Sequence, residues 1–141
     1  MNDTRMIANW LTRKPNDSAY FVTAIMAVFL WTLSFAYLAA SSWTSWMPAT
    51  ATKVFSEHEY WRLWTTLFAH GDLAHLLSNW LLFLPLAYLL NGYFGTLFFP
   101  LAGLFIGGLI NIIVLKTLGS ETNLIGISGV VYWMWAAWLT L

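Results

Sequence analysis

The sequence predicts an all-α, polytopic membrane helix bundle, and three observations predict it. Of 141 residues, 60% are hydrophobic and only 9% are charged, too little polar surface to cover a soluble core of this size. Uncharged apolar runs recur, each at least as long as the roughly 20 residues that cross a bilayer, or close to it. Ten tryptophans fit the same class, four of them in the loop after the first run, where a residue that favours the headgroup level is expected. Six basic and six acidic residues leave no net charge, so no nucleic-acid partner is implied. The absence of cysteine excludes disulfides, thiol catalysis and cysteine-ligated metal.

Residues 1–18 form the most polar segment, carrying Arg5, Arg13 and Lys14. Ile7, Trp10 and Leu11 share one helical face, which suggests a short interfacial helix. Asn2-Asp3-Thr4 and Asn16-Asp17-Ser18 match the glycosylation pattern, but the three basic residues before the first span place this end in the cytoplasm. The first span covers about residues 20–40 and is too long for a cleaved secretory signal. Ser41 to Asp72 is then an outer loop holding Trp43, Trp46, Trp61 and Trp64, lying partly in the interface.

Residues 73–115 are about twice the length one span needs. Asn91-Gly92 is the good turn signal inside them, which divides the run into spans 73–90 and 93–115. Pro85 is expected to kink the second span, and Gly103-x-x-x-Gly107 gives the third a close-packing face. A short polar loop, Thr117 to Asn123, returns on the outer side. The fourth span, about 125–141, is still apolar where the sequence stops, so further spans are expected beyond it. The membrane domain is thus residues 19–141, with 1–18 as a cytoplasmic segment.

The stretch with chemistry in it is Gly126-Ile127-Ser128-Gly129. It puts one hydroxyl between flexible glycines where a loop becomes a membrane helix. The first N–H groups of a helix lack internal partners and sit at the positive end of its dipole. A hydroxyl there is beside ready donors for the oxyanion of an acyl transfer. The plainer reading is a small-residue packing motif at a helix start. His75 and Asn79, four apart, share one face of the second span and both donate hydrogen bonds. His70 stands at the loop-to-helix junction before them. The plainer reading here has the histidines bonding loop carbonyls and Asn79 linking two helices. Zinc held by His58, His70 and His75 is a third option, without a supporting ligand motif.

Glu59-Tyr60-Trp61-Arg62, His70 with His75 and Asn79, and Gly126-Ile127-Ser128-Gly129 together resemble the rhomboid intramembrane serine proteases, in order and in placement. The resemblance implies that Ser128 is the nucleophile. His75 and Asn79 are implied as oxyanion-hole donors, and Gly126 and Gly129 as the backbone of the serine motif. It implies a supporting role for His70 and a structural role for Trp61, Arg62 and Glu59 in the first loop, with Arg62 fixing loop carbonyls. It implies a rhomboid-like bundle with four of six spans present, no cofactor and no metal. The general-base histidine of the family's dyad comes from the sixth span and has no counterpart in residues 1–141.

Two functions follow. One is an intramembrane endopeptidase that cuts membrane proteins in or near a transmembrane segment, with residues 1–141 expected to be an N-terminal fragment that lacks the general-base histidine and is inactive alone. The alternative is a non-catalytic rhomboid-like protein that binds membrane clients. The expected setting is a bacterial inner or other plasma membrane. A small transporter or channel subunit has little support, since no charged residue lines an evident path.

Overall fold

The computed structural model describes residues 12–40, 42 and 44–140. The interfacial face of Ile7, Trp10 and Leu11, and Trp43 of the outer loop, lie outside the described residues. Helix α1 is Ser18–Ala39, α2 is the single turn Arg62–Thr65, α3 is Leu73–Thr96, α4 is Gly103–Leu115 and α5 is Ser128–Thr140. In lipid every backbone group must find its partner within the segment, which is why apolar runs of this length become helices. Among the described residues two stretches, Ser18–Ala39 and Leu73–Leu115, are long and apolar enough to cross a membrane. The second folds back on itself, so the described bundle is built from α1, α3, α4 and α5.

Asp72 starts α3: its carboxylate accepts the N–H of His75 at 2.7 Å, a side-chain cap for an orphan donor. The backbone stays helical through Pro85 and through Asn91-Gly92. The expected turn at Asn91-Gly92 is therefore displaced. The helix breaks at Gly95, where φ is +81° and ψ is 174°, a conformation that glycine tolerates. A second break follows at Phe99, extended before the cis Phe99–Pro100 bond. Asn91 is buried and serves this turn from inside the helix, donating to the Phe99 carbonyl at 2.7 Å and to Thr96 Oγ1 at 3.3 Å. Gly92 gives the N-terminal segment room: a Cβ there would stand 2.7 Å from the Pro15 Cβ. Both residues that look like a turn are spent on packing.

The main core joins α1, α3 and α5 through Leu30, Phe83, Leu86, Leu90, Val130 and Met134. Large apolar residues outside it, such as Phe21, Val28, Leu81, Phe105 and Leu139, are exposed around the bundle. That inside-out surface suits a lipid solvent. The pair Gly103 and Gly107 packs as its spacing suggests. A Cβ on Gly107 would lie 2.7 Å from Val130 of α5, and one on Gly103 would lie 3.1 Å from Trp133.

The segment between α1 and α3 is not a slack loop. It contains a wide turn at Thr52–Ser56, then α2, then a tight turn at Thr66–Phe68. A small second core, Ala49, Val54, Leu63 and Leu115, fastens it to the end of α4. Asn111, the one polar side chain of α4, is buried and donates to the Leu63 carbonyl at 2.7 Å. Trp64 donates to the Leu104 carbonyl at 3.2 Å and lies flat against Gly108, where a Cβ would stand 2.6 Å from the indole. The first loop is thus clamped onto the helix that precedes the serine loop.

Candidate active site

Ser128 is the first residue of α5, and the turn that delivers it is built by Gly126 at φ +102°. An L side chain is strained at that angle. Space forbids one as well: a Cβ on Gly126 would stand 2.9 Å from His75 Nε2 and 3.9 Å from Asn79 Nδ2. The two donors of α3 therefore converge on the residue two before the hydroxyl. Asn79 donates one amide proton to the His75 carbonyl at 3.1 Å. An amide has two such protons, so one remains for a ligand beside Gly126. Among the described residues Asn79 makes no hydrogen bond to a second helix, contrary to the plainer expectation.

The turn is held from the first loop. Leu124 pairs with Ala49 in a two-bond bridge, Leu124 N to Ala49 O at 2.8 Å and Ala49 N to Leu124 O at 3.3 Å. Thr66 is fully buried and works with both polar groups. Its hydroxyl donates to the Leu124 carbonyl, and its own carbonyl accepts the Gly126 N–H at 3.0 Å. Thr52 adds a third tie, donating through its N–H to the Ser120 carbonyl at 3.2 Å and through its hydroxyl to Glu121. Nothing in a Thr-Thr pair advertises this role, and Thr66 was not legible in the sequence. Asn111 was missed as well, although a lone amide in an apolar span is a signal that could have found it.

Arg62 is buried and sits at the centre of the first loop. Its Nε donates to Glu59, and its Nη1 donates to the carbonyls of Ser45 at 3.0 Å and Pro48 at 2.8 Å. Neighbouring Trp61 is half exposed. Arg62 is therefore spent on loop carbonyls and its paired carboxylate, which keeps a buried charge tolerable.

His70, just outside the membrane helix, is fully buried. Its ring lies 5.0 Å from that of His75, edge to face, and its Nδ1 is 3.4 Å from the Phe68 carbonyl. Burial pushes its pKa down to about 4, against the raising effect of that carbonyl and with a smaller push from His75. A neutral His70 backs His75 without competing for protons. His58 points elsewhere, its Nδ1 3.0 Å from the Tyr60 hydroxyl. The three histidines do not converge, and among the described residues no group of three metal-binding side chains forms.

Ser128 opens onto a groove of about 480 Å³ between α4 and α5, with Ile110, Asn111, Gly129, Tyr132 and Ala136 among its walls. Gly129 lets α4 and α5 approach closely beside the groove, since a Cβ there would be 3.0 Å from Ile110. The described residues lining it contain no histidine, and Ser128 Oγ makes no hydrogen bond to any of them.

A model of the rhomboid domain matches residues 57–141, more than half of the chain. The chain belongs to the rhomboid family. No curated protein and no solved structure matches. The rhomboid match begins two residues before Glu59 and takes in Arg62, His70, His75, Asn79 and the serine turn. It leaves out α1 and the Ala49 bridge that braces Leu124, so part of this rhomboid's bracing lies outside the matched domain. As a rhomboid with apolar spanning helices, the protein is a membrane protein.

Proposed function

We propose that this rhomboid is an intramembrane serine endopeptidase in which Ser128 is the nucleophile. The observation that supports the reading is the convergence of His75 Nε2 and Asn79 Nδ2 on Gly126, beside the N-terminus of α5. The Ser128 hydroxyl attacks the scissile carbonyl of a substrate's transmembrane segment. The developing oxyanion accepts hydrogen bonds from His75, Asn79 and the free N–H groups at the start of α5. The helix dipole adds to their effect. Collapse of the oxyanion breaks the C–N bond and expels the amine, which carries away the proton that the base took from Ser128. Water then hydrolyses the acyl-serine ester, releasing the carboxylate half and restoring the hydroxyl.

A serine hydroxyl needs a base to take its proton. His75 is aimed at Gly126 as a donor, and one ring cannot hold both roles at once. The α4–α5 groove beside Ser128, with Tyr132 71% exposed in it, leaves room for such a base. The first loop faces the outer side, the segment before α1 faces the cytoplasm, and the host is a bacterial inner or other plasma membrane. The substrates are membrane proteins with a transmembrane segment.

A second reading has one observation in its favour: Ser128 Oγ has no hydrogen-bonded base among the described residues, as in a rhomboid that binds membrane clients without cutting them. Labelling the native membrane protein with a fluorophosphonate, beside Ser128→Ala, separates the two. Labelling that vanishes in the variant supports the protease. A folded native protein that never labels leaves the client-binding role.

A further inference from the structure

The face of the bundle opposite Ser128 carries a different kind of site. The N-terminal segment does not hang free before α1: the Asn16 N–H donates to the Gly92 carbonyl of α3 at 2.9 Å. Gly92 permits this approach, because any side chain there would strike Pro15. The docking encloses a cleft of about 270 Å³ lined by Arg13, Lys14, Asn16, Gly92 and Tyr93. Unlike the apolar hollows along α1, it is lined by two cations and an amide.

The charges can be counted. The Lys14 ammonium is 2.7 Å from the Asp17 carboxylate, which offsets one positive charge. The Arg13 side chain is exposed and makes no ion pair or hydrogen bond with a described residue. The cleft keeps a net positive charge and a guanidinium fork free to grip an oxyanion with two bonds. Its depth is fixed by its neighbours. It lies immediately before the 22-residue apolar helix α1 and beside the last turns of α3. Tyr20 and Tyr88, rings 4.7 Å apart, lie just inside it, where tyrosines mark the headgroup level.

We propose that this cleft is a binding site for the phosphate of an anionic phospholipid headgroup, which ties α1 to α3 at the membrane face distal to Ser128. The phosphodiester sits on Arg13 and Lys14, with its acyl chains running down the exposed apolar face of the bundle. Anionic lipid concentrates at such basic juxtamembrane segments, and the docked geometry here makes one discrete seat of it. The same chemistry would accept a soluble phosphate, so the test must separate the two sources.

The test is native mass spectrometry of the intact protein in non-ionic detergent, titrated with phosphatidylglycerol, phosphatidylcholine or inorganic phosphate. Three proteins are compared: wild type, Arg13→Gln with Lys14→Gln, and Lys116→Gln, whose charge is at the opposite membrane face. Wild type and Lys116→Gln should each retain one phosphatidylglycerol. The double variant should bind it roughly 30-fold more weakly, from the loss of two cations near the surface, and added salt should weaken wild-type binding. Equal retention by wild type and the double variant, or equal retention of phosphatidylcholine, overturns the proposal. Phosphate that displaces the lipid at comparable concentration overturns the lipid assignment in favour of a soluble ligand. Arg13→Gln alone guards against misfolding: it removes the free cation and leaves the Lys14–Asp17 pair and the Asn16–Gly92 tie intact, and should retain part of the loss.

Discussion

At Gly126 two requirements meet in one residue. The backbone must take φ +102°, and the space beside the Cα must be left to His75 and Asn79. Either alone would exclude most residues; together they leave glycine. Asn79 is the neighbour whose role is easiest to separate from folding. Its visible bond, to the His75 carbonyl, lies within its own helix turn, where α3 is already held by its ladder and by the Asp72 cap. Asn79→Ala should therefore leave expression nearly intact while lowering turnover by roughly 100-fold or more, the typical effect of losing an oxyanion donor. Turnover on a transmembrane substrate, corrected for folded protein, measures it. Loss of folded protein in step with activity would mean that Asn79 only supports the helix. The four-residue spacing of His75 and Asn79 was legible in the sequence because it is a property of one helix. Thr66 was not, because its two partners, Leu124 and Gly126, lie far along the chain.

Between elements, the decisive contact is that of the first loop with α4. Asn111 gives its amide to the Leu63 carbonyl, and Gly108 gives its missing side chain to Trp64. The loop then braces the serine turn through Ala49 and Thr66. Asn111→Ala should leave the Leu63 carbonyl unpaired, costing about 1–3 kcal/mol. The cost should be local. Hydrogen exchange in residues 44–70 should speed up before that of α1 and α3. Unchanged protection of the loop would show that its hold on α4 lies elsewhere. The reversal between α3 and α4 teaches the same lesson from the other side. Asn91-Gly92 has turn chemistry by composition, but burying Asn91 under the real turn and docking Pro15 on Gly92 puts both inside the helix.

For the molecule as a whole, His70 makes stability depend on pH. The buried ring titrates near 4, below its ordinary 6.5, so the unfolded chain binds the proton more readily than the folded one. Stability from this group is complete above about pH 6.5 and is lost as the pH falls toward 4. The loss is on the order of 3 kcal/mol at most for a shift of this size. Thermal melts in detergent across that range should show a steady fall in Tm, and His70→Leu should flatten it. A slope that survives the substitution would assign the acid sensitivity to other groups.

The sequence by itself determined the class of the molecule and where a hydroxyl would meet the start of a membrane helix. An apolar run long enough to cross lipid has no choice but to satisfy its own backbone, and a hydroxyl at the start of such a helix meets unpaired N–H groups wherever the helix sits. These are local properties, and local properties can be read along a chain. Tertiary structure decided where the chain turns, which loop holds the serine turn, and that His58 stands apart while His70 and His75 meet edge to face. Those outcomes depend on which distant surfaces meet, and a glycine or an amide serves a turn or a contact according to what packs against it.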